Sequence, residues 1–120
     1  MSQKVLICDD EEGIRESLKL ILGDDYDLIS VDSGEQCLEC LDNDTSIGLV
    51  LLDIKMPKVN GLDILKSIKE KNPNLNVIIV TGYKSVETAS EAAALGASGY
   101  IIKPFKSDEI LEAVWKNINV

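Results

Sequence analysis

Five polar side chains in this sequence each stand at or just past the end of a short apolar run. Asp9 and Asp10 follow Val5-Leu6-Ile7-Cys8, and Asp53 follows Leu49-Val50-Leu51-Leu52. Thr81 follows Val77-Ile78-Ile79-Val80, and Lys103 follows Tyr100-Ile101-Ile102. Any one of them is what a strand end looks like when it reaches water; the whole set on one edge is better explained by a shared task. Two carboxylates about 4 Å apart repel by about 4 kcal/mol at an effective dielectric of about 20, so three gathered together call for a cation. Oxygen donors alone, with positions left for water, suit Mg²⁺. An open position on such an ion accepts a phosphoryl oxygen, and Lys103 would neutralise further charge as a phosphoryl group moves. Carboxylates are nucleophiles in phosphoryl chemistry. Asp53 is the candidate nucleophile because it ends a central strand facing the cluster.

For these side chains to meet, the runs must be parallel strands. Lys4 to Cys8 is continuously apolar after its first residue, as a strand buried on both faces would be. Ile14, Leu18, Ile21 and Leu22 follow helical spacing, and Gly23 stands where a helix C-terminal glycine belongs. Asp27 to Val31 is a second, less apolar strand. Ser33 with Gln36 forms a capping box that opens a helix through Leu41. The third strand ends on Asp53, and a loop containing Pro57 follows. Asn60 caps a helix carrying Leu62, Leu65 and Ile68 that ends before Pro73. After the fourth strand, Ser85 to Leu95 is an alanine-rich helix closed by Gly96. Ser107 is expected to cap the last helix, whose stripe is Ile110, Leu111, Val114 and Ile118.

Strands alternating with helices at this spacing predict an α/β fold with a parallel sheet covered on both faces. The first, third and fourth strands are the most apolar and belong at the centre; the second and fifth belong at the edges. Right-handed crossovers and short connections then favour a doubly wound, flavodoxin-like sheet of order 2-1-3-4-5. In such a sheet the ligand crevice lies at the carboxyl edge where strand order reverses, here between the first and third strands. The five polar strand ends converge there.

Composition narrows the field further. With 120 residues the chain suits one domain, 1–120. Its net charge of −9 opposes binding to nucleic acid or an anionic membrane. No histidine is present, which removes the usual general base and the commonest metal ligand. Cys37 and Cys40 have C-x-x-C spacing, but they fall inside a helix and only Cys8 remains as a further thiol. Three reduced structural cysteines are expected rather than a redox pair or zinc site. The apolar runs are far short of the ~18 residues of a membrane span, so the expected compartment is the cytoplasm.

Taken together, Asp9-Asp10, Asp53, Thr81 and Lys103-Pro104 resemble the signature set of two-component response-regulator receiver domains. Leu51-Leu52-Asp53-Ile54-Lys55-Met56-Pro57, Gly96-Ala97-Ser98-Gly99-Tyr100 and Lys103-Pro104-Phe105 match as well, so the resemblance covers essentially the whole chain. It implies that Asp53 accepts phosphate from a histidine kinase or histidine phosphotransfer protein, which supplies the missing histidine. It implies that Asp9, Asp10, Asp53 and the backbone carbonyl of Lys55 hold Mg²⁺. Thr81 would bond one phosphoryl oxygen and Lys103 another, Tyr100 would turn inward when Thr81 moves, and the Lys103–Pro104 peptide would be cis. The domain would catalyse its own phosphorylation and dephosphorylation without being a turnover enzyme. The loop Lys58-Val59-Asn60-Gly61 departs from the family's more usual methionine and aspartate before the glycine, while Asn60 keeps its capping role. Lys55 and Tyr83, two residues beyond Asp53 and Thr81, are expected to screen the phosphoryl group from water and slow its hydrolysis.

The output is expected to leave through the fourth helix, fifth strand and last helix. Val86, Ala89, Ala92 and Ala93 are the inward candidates of the fourth helix, and small side chains anchor a helix weakly. Trp115 fits either core packing or an exposed partner contact; Phe105 is expected at the surface or an interface. Ile14 on the first helix would, by family analogy, face the kinase's histidine helix. The chain would be a single-domain regulator or the excised N-terminal receiver of a transcription regulator, acting on a downstream protein or output domain without touching nucleic acid or membrane itself. Asp9 to Leu18 resembles the start of receivers fused to enhancer-binding activators. A haloacid-dehalogenase-type phosphatase fits less well, because its D-x-D-x-[TV] motif is absent after the first strand. A flavodoxin would need a hydroxyl-rich phosphate loop where Asp9 to Glu12 would repel the phosphate. A binding module with vestigial phosphorylation would leave a filled active-site set unexplained.

Overall fold

A computed structural model describes residues 3–56 and 60–118. Pro57, Lys58 and Val59, named above in the loop after Asp53, lie outside the described residues. The elements run β1 (Lys4–Cys8), α1 (Glu12–Leu22), β2 (Asp27–Val31), α2 (Gly34–Asn43) and β3 (Ile47–Leu52), then α3 (Gly61–Lys71), β4 (Asn76–Thr81), α4 (Val86–Ala94), β5 (Gly99–Ile102) and α5 (Ser107–Asn117). The strands form one sheet in the order β2-β1-β3-β4-β5, with every neighbouring pair parallel. Burial of the strands accords with this order. β3 is buried throughout and takes a central place, whereas β2 is half-exposed and lies at an edge.

Side chains alternate between the two faces, as a pleated strand requires. Leu6, Cys8, Val50, Leu52, Val77 and Ile79 pack beneath α2 and α3 with Cys37, Leu65, Ile68 and Ala92. Val5, Ile7, Leu49, Leu51, Ile78 and Val80 pack against Leu18, Leu22, Ile110 and Val114 of α1 and α5. The register pairs Cys8 with Leu52 and Ile79 with Tyr100, which brings the carboxyl ends of the strands to one edge.

Several local expectations are refined by the structure. Ser33 Oγ accepts the Gln36 N–H at 3.2 Å, but Gln36 Oε1 accepts from Asp32 N–H rather than from Ser33 N–H, so the box reaches one residue further back. Asn60 Oδ1 accepts the Leu62 N–H at 3.0 Å and caps α3 as expected. Ser107 does not cap α5: it is the first helical residue, and Glu109 Oε1 instead accepts the N–H of Lys106, the capping position. Gly23 closes α1 in the right-handed region at φ −64°, so no left-handed turn is needed there. Gly96, at φ +102°, does make the left-handed turn after α4 that glycine favours.

The expected inward set of α4 is the largest correction. Ala92 alone is buried in this helix, Ala89 is half-buried, Ala93 is exposed, and Val86 is 81% exposed. A helix with alanine on several faces has little apolar contrast to define which face turns in. Phe105 is half-buried against the α1–α5 side of the core rather than free on the surface, while Trp115 is 76% exposed.

Candidate functional site

The burial pattern sets up the site. β1 and β3 are covered on both faces up to Cys8 and Leu52, so the residues that follow emerge at the sheet's edge while still enclosed. Asp9 and Asp53 are each 2% exposed, and Thr81 is fully buried. Neighbouring N–H groups hold the carboxylates in place: Asp9 Oδ1 accepts from Glu11 N–H at 2.9 Å, and Asp53 Oδ1 accepts from Lys55 N–H at 2.8 Å. Arg15 fixes the same turn from α1 by donating to the Asp9 carbonyl at 2.8 Å.

Lys103 joins the halves. Its Nζ lies 2.9 Å from Asp9 Oδ2, 2.9 Å from Asp53 Oδ2 and 2.9 Å from Glu11 Oε1. The turn that delivers it includes the cis Lys103–Pro104 peptide, as expected. Burial alone would lower the ammonium's pKa, but hydrogen bonds to Asp9, Asp53 and Glu11 outweigh it and hold the group above the ordinary lysine value. Burial pushes the Asp9 carboxyl up, against the opposing bonds from Lys103 and Glu11 N–H. Asp9, Asp10, Glu11 and Asp53 each offer an oxygen within 4.8 Å of the others. One ammonium does not balance this much negative charge, and the all-oxygen donor set fits a hard divalent cation such as Mg²⁺.

The remaining residues flank this centre. The Thr81 hydroxyl accepts the Tyr83 N–H at 3.5 Å rather than bonding to Asp53. Tyr100 is half-buried against the α2–α3 side of the core, and its hydroxyl donates to the Tyr83 carbonyl at 3.0 Å. Lys55 Nζ lies 5.3 Å from the centre of the Tyr83 ring, so the loops after β3 and β4 touch beside the cluster. Glu11 was assigned no role from sequence; only its position in an acidic run after β1 hinted at one. Cys8, Cys37 and Cys40 are free thiols. A hydrogen bond with Cys37 and then burial raise the Cys8 pKa, so it stays protonated and inert.

The sequence matches the response regulator receiver domain model over residues 5–115. The chain belongs to the response regulator receiver domain family. A relative of similar length is sporulation initiation phosphotransferase F of Bacillus subtilis, 38% identical over 97% of this chain and 94% of that protein. Response regulator protein FleR of Pseudomonas aeruginosa is 36% identical over 95% of this chain, which spans only 24% of FleR. Among solved structures, a receiver domain from Methanospirillum hungatei superposes with a TM-score of 0.91 at 31% identity, covering 97% of this chain and 93% of that one. Receiver domains serve two-component signalling as phosphoacceptors, bind Mg²⁺ in general and are not turnover enzymes in general. Among the described residues no helix is long and apolar enough to cross a membrane.

Proposed function

We propose that Asp53 is the phosphoacceptor of a receiver domain spanning residues 1–120. The carrying observation is that buried Asp53 shares the Lys103 ammonium with Asp9 at the β1–β3 edge. In the proposed step an Asp53 carboxylate oxygen attacks the phosphorus of a phosphohistidine. The P–N bond breaks, and the imidazole leaves with the electron pair and takes a proton. Lys103 offsets charge at the phosphoryl oxygens, and Thr81 donates its O–H to one of them, since accepting the Tyr83 N–H leaves that hydrogen available. Mg²⁺ held by Asp9, Asp10, Asp53 and the Lys55 carbonyl would supply the remaining charge neutralisation. The same residues allow the domain to phosphorylate itself from a small donor and to lose the group by hydrolysis.

Tyr100 is the proposed switch residue, because its hydroxyl is tied to the same β4–α4 loop that holds Thr81. The output face is α4, β5 and α5, where Ile102, Leu111 and Trp115 are exposed. The upstream partner is a histidine kinase or phosphotransfer protein, and the downstream partner is a protein or an attached output domain. The working compartment is the cytoplasm. The Lys55–Tyr83 contact supports slow phosphoryl hydrolysis, since a cation and a ring lie together at the mouth; loss within seconds in Mg²⁺ would contradict this. A ¹⁹F NMR titration with beryllofluoride tests the acceptor role. Binding that requires Mg²⁺ and disappears in Asp53→Ala supports it, and binding that survives Asp53→Ala overturns it.

A further inference from the structure

β2 is an edge strand, and among the described residues only β1 pairs with it. The ladder shows which backbone groups this leaves over. Asp27 donates its N–H to the Gln3 carbonyl at 2.9 Å, and the Val31 carbonyl accepts from Asp9 N–H at 3.2 Å. Alternate residues of a parallel strand bond to the same side, so Asp27, Ile29 and Val31 face β1. Leu28 and Ser30 turn their N–H and C=O groups outward. The opposite edge, β5, belongs to the output face proposed above; β2 does not.

A cleft lies on each side of this bare edge. Toward α2, a cleft of about 550 Å³ is lined by Ile29, Val31 and Cys40, with Glu39 beside them. Toward α1, a cleft of about 250 Å³ is lined largely by charge, including Glu12, Glu16 and Asp32. The two cations in that cleft are already engaged, Arg15 by the Asp9 carbonyl at 2.8 Å and Lys19 by Glu16 at 3.3 Å. Glu12, Asp32 and Glu39 are exposed and form no ion pair among the described residues. The wider surroundings have the same sign. Residues 1–52, which carry β1 to β3, hold 13 of the 21 acids and 3 of the 12 bases, a net charge of −10, while the rest of the chain is +1.

Unpaired strand edges recruit other strands, and charge decides which. Asp27 and Asp32 bracket β2, so a second copy of this chain would bring acid against acid. We infer that the β2 edge is a docking site for an extended segment of a basic partner protein, one in which apolar residues alternate with lysine or arginine. The segment adds a strand beside β2 through the backbone groups of Leu28 and Ser30. Its side chains then point by turns into the two clefts. The apolar ones meet Ile29, Val31 and Cys40, and the cations meet Glu12 and Asp32. This surface is separate from the phosphoacceptor site and does not depend on that reading.

The probe is the acetylated, amidated peptide Lys-Val-Lys-Val-Lys-Val-Lys, titrated into the ¹⁵N-labelled protein. Saturable amide shifts centred on Leu28, Ser30 and Asp32 are expected, with none from the peptide carrying glutamate in place of lysine. N-methylating either the valines or the lysines blocks one backbone edge of the peptide or the other. One of the two methylated peptides should bind about fivefold more weakly, the size of one hydrogen bond. Ser30→Pro should weaken the parent peptide similarly, because proline removes only the outward N–H and spares the ladder to β1. If that variant does not fold, the methylated peptides still decide. Equal binding by both methylated peptides would mean attraction by charge alone and would overturn the inference. It is equally overturned by shifts centred away from β2, by no shift at millimolar peptide, or by concentration-dependent shifts at Leu28 and Ser30 without peptide, which would make the occupant a second copy.

Discussion

Every residue of β3 is buried, and β1 is buried from Val5 onward, whereas α4 buries Ala92 alone. Asp9 and Asp53 hang from the first region; Thr81, Tyr83 and Tyr100 border the second. The acceptor carboxylates are therefore placed by the best-packed strands, and the residues expected to respond are placed beside the least anchored helix. A receiver needs this division. A cluster of like charges must be held against its own repulsion, and the element that reports its neutralisation must be easy to shift.

The sharpest way to break the contrast is by truncation. Leu49→Ala, in the fully buried β3, should lower stability by about 2–5 kcal/mol, while Val86→Ala on α4 should change it by less than about 0.5 kcal/mol in urea unfolding. Comparable losses would mean that α4 is anchored as firmly as the centre.

Next in size is Lys103→Met. Removing the ammonium leaves Asp9 and Asp53 unpaired, so the metal-free protein should lose about 3 kcal/mol, largely recovered in saturating Mg²⁺. Because the Lys103 pKa is raised on folding, its stabilisation is complete below the ordinary value of 10.5 and is lost as pH rises through the higher folded value. The difference between wild type and variant should accordingly be flat near neutral pH and shrink only in strong alkali. A difference that vanished at pH 8, or that Mg²⁺ did not reduce, would contradict the geometry.

Hydrogen exchange separates the regions without mutation. Beryllofluoride with Mg²⁺ should change exchange in α4 and β5 and leave the slow amides of β1 and β3 as they were. Unchanged exchange in α4 would remove it from the output face.

The smallest effect belongs to a pair at the other end of the sheet. Lys4 lies 2.8 Å from Asp44, and hydrogen bonds from Lys4 and Ser46 lower the Asp44 pKa from 3.8 to about 2. A lowered carboxyl stabilises the fold above its unfolded pKa and loses that contribution as pH falls through the folded value. The stability difference between wild type and Asp44→Asn should thus persist at pH 5, fade between about pH 4 and about pH 2, and diminish in high salt. A difference unchanged at pH 2 would show that the pair is not its source.

Central and edge strands were legible because burial on two faces leaves continuous apolar runs such as Leu49 to Leu52, and edge strands such as Asp27 to Val31 do not; among the orders that burial allows, sequential adjacency selected this one. The site was legible because those runs end in acids, a hydroxyl and a lysine. Glu11 was not, because it is one of 21 acidic residues and only the fold brings it to a lysine 92 positions on. The buried face of α4 was hidden for a different reason: Ala89, Ala92, Ala93 and Ala94 offer nearly the same side chain on every side. At α5 the serine was the better capping residue by type, but Glu109 bonding to Lys106 N–H moved the helix start back by one residue.

The central claim is that Asp53 carries the phosphoryl group. Intact mass after incubation with acetyl phosphate, with and without Mg²⁺, for wild type and Asp53→Asn tests it most directly. A gain of about 80 Da, the exchange of a proton for a phosphoryl group, is expected and should need both Mg²⁺ and Asp53. The same gain in Asp53→Asn, or in the absence of any divalent cation, would contradict it.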